Sequence, residues 1–276
     1  MQSSFIEFEF GKLHYLHSMS GNAKTVLFLH AVNSSAESYV EVCDLLKEQF
    51  NLICLDFPGH GLSKHVNIDL CAQYYSMDGF TSIVIEFITR LKLKNLFIVG
   101  DSIGGNIAVR SMPFLKMLGG LILMGSVQAE NKESLFALHH SIAPMNLLFQ
   151  KELTEKECET LAAAYVDPLK NKQKGFMQML YDIKRTDPNY RELLPSYIET
   201  QPWVNELELI QKNTLPLMYI LGLQDGFINV PYYKDMLLES GVQESQIHAL
   251  NQSRHVPSLD NPELCAKLLS EFINKE

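Results

Sequence analysis

Cysteine is scarce in this chain of 276 residues, and what there is lacks a pattern. Cys43, Cys54, Cys71, Cys158 and Cys265 are odd in number and scattered, with no Cys-x-x-Cys pair and no histidine at ligand spacing. A disulfide framework and a zinc site are therefore not expected, and no metal is assigned. Basic runs longer than two residues are missing too, and 32 acidic residues outnumber 23 basic ones. That excess repels phosphate backbones and argues against a nucleic-acid partner. Long apolar runs are absent, and the first ten residues carry Glu7 and Glu9 without a basic start. Neither a secretory signal nor a membrane span is expected, so no membrane partner is assigned and the cytoplasm is the default location. There is no internal repeat and no low-complexity segment.

What is present is a large apolar fraction, 46%, arranged in short β-rich runs separated by helical periodicity. Segments 5–10 and 13–17 alternate on either side of Gly11-Lys12 and predict a hairpin. Continuous apolar runs at 26–29, 52–55, 96–99 and 121–124 predict buried strands, with helices between them over 38–49 and 77–91 and another after residue 105. Strand and helix in alternation predict an α/β fold with a mostly parallel central sheet covered on both faces by helices. From residue 127 to residue 207 strand signals fade. Helices are expected there over 133–142, 154–165, 169–184 and 190–199, punctuated by Pro144, Pro168, Pro188, Pro195 and Pro202. Strands resume at 217–221 and 246–250, and a helix closes the chain over 262–273. The expected organisation is a core of residues 1–126 and 208–276 with a helical insertion over 127–207.

The segment richest in chemistry is Gly100-Asp101-Ser102-Ile103-Gly104-Gly105, between a strand and a helix. A serine hydroxyl is a poor nucleophile in water, so an enzyme that uses one holds it on a sharp turn within reach of a base. Glycines two before and two after Ser102 leave room for such a turn. In an open parallel sheet reactive groups gather in the loops after the strands' carboxyl ends. Asp225 and His255 lie in two of these loops, giving the order Ser, Asp, His. His255 can take the proton of Ser102, and Asp225 can fix its tautomer. The backbone N–H groups of Ile103 and of Val32, in the loop His30-Ala31-Val32-Asn33, are candidates for the oxyanion hole. Asp260 is the rival acid, but its place suggests a cap for the helix starting near Pro262.

The whole chain resembles the α/β-hydrolase superfamily, in the cofactor-independent esterase and carbon–carbon hydrolase branch. Beyond the elbow, the resemblance rests on Leu29-His30-Ala31, on Asp56-Phe57-Pro58-Gly59-His60-Gly61-Leu62-Ser63, and on His255-Val256-Pro257 followed by Asn261-Pro262-Glu263. It implies that 127–207 is a cap over the active site and that no cofactor is used. Ala31 departs from the glycine usual in that family. His30, Ala31, Asp101 and Trp203 are candidates for contact with substrate, although His30 and His60 are expected to bond backbone rather than titrate. Asp101 could instead accept a hydrogen bond behind the site. His139 and His140 are expected on a partly exposed helix, and most of the insertion's apolar side chains are expected to pack on the core, with a minority lining a pocket. The expected function is a serine hydrolase acting through an acyl-enzyme on a small or medium, largely apolar ester, thioester or lactone. Hydrolysis of a carbon–carbon bond in a diketone, and ligand sensing without turnover, are the alternatives. Ser102 stands where dehalogenation and epoxide hydrolysis need an aspartate. The insertion's helices could also serve a homodimer.

Overall fold

Eight strands form one sheet in the order β1-β2-β4-β3-β5-β6-β7-β8. They are β1 Gln2–Phe8, β2 Gly11–Ser18, β3 Thr25–Leu29, β4 Asn51–Leu55, β5 Leu96–Asp101, β6 Leu118–Met124, β7 Leu217–Gly222 and β8 Ile247–Leu250. The computed structural model describes residues 1–276 apart from Met117, Ser141, Ile142, residues 171–173 and the side chain of Tyr197. β1 and β2 form an antiparallel hairpin and β2 runs antiparallel to β4; every later pairing is parallel. Phe8 faces Gly11 across the hairpin, so the turn is Glu9-Phe10 rather than the expected Gly11-Lys12.

The apolar runs follow from burial on both faces. Along β3, Val26 and Phe28 enter one core while Leu27 and Leu29 enter the other, as period-two geometry requires. The first core is covered by α1 Val40–Leu46 and the closing helix α13 Pro262–Lys275. The second core is covered by α3 Met77–Arg90, α4 Ile103–Ser111 and α11 Val230–Glu239. Two four-residue helices, α2 Cys71–Tyr74 and α12 Pro257–Asp260, complete this part of the chain. The helix expected over 38–49 begins instead as a 3₁₀ turn, Ala36–Tyr39, which Ser35 caps by accepting from the Glu37 N–H at 3.3 Å. α11 has no counterpart among the sequence expectations, although Asn229 as cap and Pro231 in the first turn are ordinary start signals.

Between β6 and β7 the described residues form six helices, α5 Lys132–Ala137, α6 Met145–Leu148, α7 Glu155–Tyr165, α8 Lys174–Arg185, α9 Pro188–Thr200 and α10 Glu206–Gln211, with one isolated antiparallel bridge from His139 to Ile228. α5 stops at Ala137, short of the expected end, and residues 141 and 142 lie outside the described residues. Likewise α8 is described from Lys174, with 171–173 outside. Pro195, expected to punctuate, lies inside α9. Buried side chains of the insertion, among them Leu161, Tyr165, Met179 and Tyr190, share the core cluster of α3 and α4, so these helices sit against the sheet's carboxyl-end loops.

Candidate active site

β5 ends and α4 begins at Ser102, whose backbone stands at φ 51° and ψ −120°. A non-glycine residue in that region is strained by roughly 1–3 kcal/mol and persists only where its surroundings dictate it. Here the Ser102 N–H donates to the Met124 carbonyl at 2.9 Å, and the Ser102 carbonyl accepts from Gly105 at 2.9 Å. The flanking glycines are dictated by space. A methyl on Gly104 would lie 2.1 Å from the Leu29 carbonyl oxygen, and one on Gly100 would lie 2.5 Å from the backbone of Gly104. The turn therefore packs directly on the end of β3.

His255 and Asp225 meet at this end of the sheet. The His255 Nδ1–H donates to Asp225 Oδ2 at 2.8 Å, leaving Nε2 as the free ring nitrogen. Asp225 Oδ1 accepts from the N–H groups of Phe227 at 2.7 Å and Ile228 at 2.9 Å, which fixes the carboxylate. The imidazole stands edge-on to Phe227 and Tyr165, with centroids 4.8 and 5.4 Å away. Gly125, at φ +48°, gives it room: a methyl there would lie 2.2 Å from the His255 carbonyl oxygen. Asp260 does not reach the ring and does not cap the helix at Pro262. Its carboxylate accepts from the N–H of Arg254 at 2.6 Å and from that of Asp167 at 2.9 Å, tying the residue before His255 to the insertion.

Ser102, Val32, Ile103 and His255 border one cavity of about 300 Å³. The Ile103 N–H begins a helix and has no intrahelical partner to find. The remaining wall is mostly apolar, with Leu148, Phe149, Tyr165, Leu194, Ile198 and Phe227 prominent. A buried polar cluster also lines it, where Arg110 Nε and Asn106 Nδ2 donate to the buried Glu206 carboxylate at 2.6 and 2.5 Å and so join α4 to α10. Burial pushes the Glu206 carboxyl above its ordinary range, against the pull of Arg110. Sequence offered no signal for this cluster.

Of the four candidates for substrate contact, Trp203 lines the cavity; among the described residues His30, Ala31 and Asp101 do not. His30 is occupied behind the loop, where Nε2 accepts from the Phe57 N–H at 3.0 Å and Nδ1–H donates to the Ala31 carbonyl at 2.8 Å. Burial lowers its pKa, so it is a neutral ring that orders backbone. Asp101 points to the other face of the sheet, as alternation after Gly100 requires. There it accepts from Ser258 Oγ at 3.2 Å while Oδ1 has no hydrogen-bond partner. The nearby Tyr39 hydroxyl favours the charged form but donates to the Leu29 carbonyl at 2.8 Å. Burial pushes the Asp101 carboxyl up to about 7. His139, expected on a partly exposed helix, instead follows the end of α5, donates through Nδ1 to the Leu135 carbonyl at 2.7 Å and lines the cavity. Among the described residues no three His, Cys, Asp or Glu side chains converge as a metal site. None of their helices is long and apolar enough to cross a membrane.

A family profile described as serine aminopeptidase, S33, matches residues 21–261, most of the chain. The chain belongs to this family of α/β-hydrolases. Among its relatives, an uncharacterized hydrolase of Bacillus subtilis, YugF, is 23% identical over 95% of this chain and 94% of its own length. Human monoacylglycerol lipase ABHD6 is 25% identical over 92% of this chain and 76% of that protein. In fold, the chain is similar to the N-acyl homoserine lactonase AidH, solved with N-hexanoyl homoserine lactone, at a TM-score of 0.86 and 20% identity over 100% of this chain and 98% of that one. The protein is a hydrolase.

Proposed function

We propose that this chain is a serine hydrolase that cleaves a small or medium, largely apolar carboxylic ester, thioester or lactone, with residues 127–207 as its cap. The observation that carries the reading is the strained Ser102 elbow opening into a mostly apolar cavity that His255, held by Asp225, also borders. In this reading Ser102 Oγ attacks the carbonyl carbon while its proton passes to His255 Nε2. The resulting oxyanion accepts from the Ile103 and Val32 N–H groups, and Asp225 stabilises the imidazolium. Collapse returns the Nε2 proton to the departing alcohol, thiol or ring oxygen. Water, deprotonated by the same nitrogen, then attacks the acyl-enzyme and releases the acid, restoring Ser102. Nothing in these steps asks for a metal, nucleotide or flavin.

An apolar cavity of this size suits an acyl chain of moderate length, in keeping with a monoacylglycerol lipase and an acyl lactonase among similar proteins. The test is hydrolysis of p-nitrophenyl esters of increasing acyl length by the wild type beside Ser102→Ala. Turnover should peak at a medium chain and fall by about 10⁵ to 10⁶ in the variant. Equal rates in the two proteins would remove Ser102 from the chemistry, and cleavage confined to diketones would reassign the bond.

A further inference from the structure

The loop that follows β3 is anchored from two sides. The core holds its ends: the His30 ring accepts from the Phe57 N–H, and the Ala36 N–H donates to Asp56 Oδ1 at 2.6 Å. Between those anchors lies a tight turn in which the Ser34 N–H reaches the Ala31 carbonyl at 3.2 Å and Asn33 takes φ 59°. Val32 sits at its centre and borders the cavity. The third anchor comes from the cap. Ser35 Oγ donates to Asp182 Oδ2 at 2.8 Å, from a serine and a carboxylate that are both fully buried.

Asp182 is itself fixed on α8. Gln178 Nε2 lies 3.1 Å from both of its oxygens, and Arg185 donates to Oδ1 at 3.0 Å. Taking a carboxylate out of water is costly unless donors surround it, and here one of those donors belongs to the oxyanion loop rather than to the cap. The 3₁₀ turn needs only the acceptor side of Ser35, which takes the Glu37 N–H. Donation to Asp182 is an additional bond across the cap–core boundary, three residues from Val32. An oxyanion donor must stand about 3 Å from the developing charge, so a small shift of this loop is felt in the chemical step.

We propose that Asp182 is a positioning residue that, through Ser35, sets the loop carrying the Val32 N–H, so that the cap completes the oxyanion hole. This rests on the serine-hydrolase reading of Ser102 given above. Removing one oxyanion donor outright costs about 10²–10³ in kcat, and a donor left in place but displaced should cost less, roughly 10- to 100-fold.

The test compares wild type, Ser35→Ala, Ser35→Thr, Asp182→Ala and the double variant Ser35→Ala/Asp182→Ala on a medium-chain p-nitrophenyl ester. It also measures the affinity of an alkylboronic acid, which forms a tetrahedral adduct on a serine Oγ. Ser35→Ala should lower kcat by that factor with little change in KM and weaken the boronic acid by a similar factor. Ser35→Thr, which keeps the hydroxyl, should recover most of both. The double variant should be no worse than Ser35→Ala, because the two residues act through one bond. Unchanged kcat and boronic acid affinity in Ser35→Ala, or a loss confined to KM or to thermal stability, would overturn the positioning role while leaving the function reading intact. Absence of Ser102-dependent turnover in the wild type would overturn both. Ser35→Ala removes one hydroxyl, so the proposal stays testable even if substitutions at Asp182 unfold the cap.

Discussion

Ser102 is held where an L-residue is strained, and the cost is borne for exposure of one hydroxyl. Glycine adopts that backbone without the penalty, at the expense of about 0.5–1 kcal/mol of extra chain entropy on folding. The balance favours the glycine, so Ser102→Gly should raise stability by about 1 kcal/mol, read as a higher urea midpoint, while ester turnover disappears. An unchanged or lower midpoint would mean that the elbow stores no strain. At Asp225 the expected failure is of a different kind. Asp225→Asn keeps the shape but presents an amide to His255 Nδ1, favouring the wrong tautomer, so kcat should fall by about 10⁴ with KM little changed. Activity retained there would move the acid role elsewhere, and Asp260, bonded to backbone, is poorly placed to assume it.

At the scale of elements, α4 is the hub, for it carries the elbow at its start and is clamped to α10 of the segment between β6 and β7 near its end. Arg110 and Glu206 are both buried, and removing one partner strands the other's charge. Arg110→Met should therefore cost about 3–5 kcal/mol by chemical denaturation, and Arg110→Met with Glu206→Leu should cost less than that single change. A larger loss in the pair would show that the ion pair is a net stabiliser. How much of this could be read beforehand depends on sequence distance. The elbow was legible because Gly100, Ser102 and Gly104 are neighbours whose spacing expresses a local steric demand. Asp225 and His255 were legible as partners because strand ends in a parallel sheet gather reactive groups, which requires counting strands and nothing more. Of the two readings of Asp101, alternation past Gly100 favours the acceptor behind the site, where it takes the Ser258 hydroxyl, over contact with substrate. The bonds from Asp182 to Ser35 and from Asp260 to Asp167 span 147 and 93 residues. They are created by how the segment between β6 and β7 settles on the rest of the chain, and no local pattern announces them.

Taken as a whole, the molecule buries carboxyls that lack full compensation, and this gives its stability a direction in pH. Asp101 and Asp182 are each pushed up to about 7, chiefly by burial, from an ordinary value of 3.8. Glu206 and Asp260 are raised for the same reason. Between the unfolded and folded values the native state holds more protons than the unfolded chain, so stability falls as pH rises from about 4 to about 7. A rise of that size corresponds to something on the order of 4 kcal/mol for each of the first two groups. His30, His60 and His139, lowered chiefly by burial, act in the opposite sense, as do Glu157 and Glu244, which lie where solvent screens them. Urea midpoints measured from pH 4.5 to pH 7.5 should therefore fall in the wild type relative to Asp101→Asn and Asp182→Asn, because an amide has no proton to lose, and the fall should be greatest relative to the two together. The effects should add, since the two carboxyls share no hydrogen-bond partner and the amide can still accept from Ser258 in one case and Ser35 in the other. A double variant that follows the wild-type slope would show that neither carboxyl carries its burial into the titration.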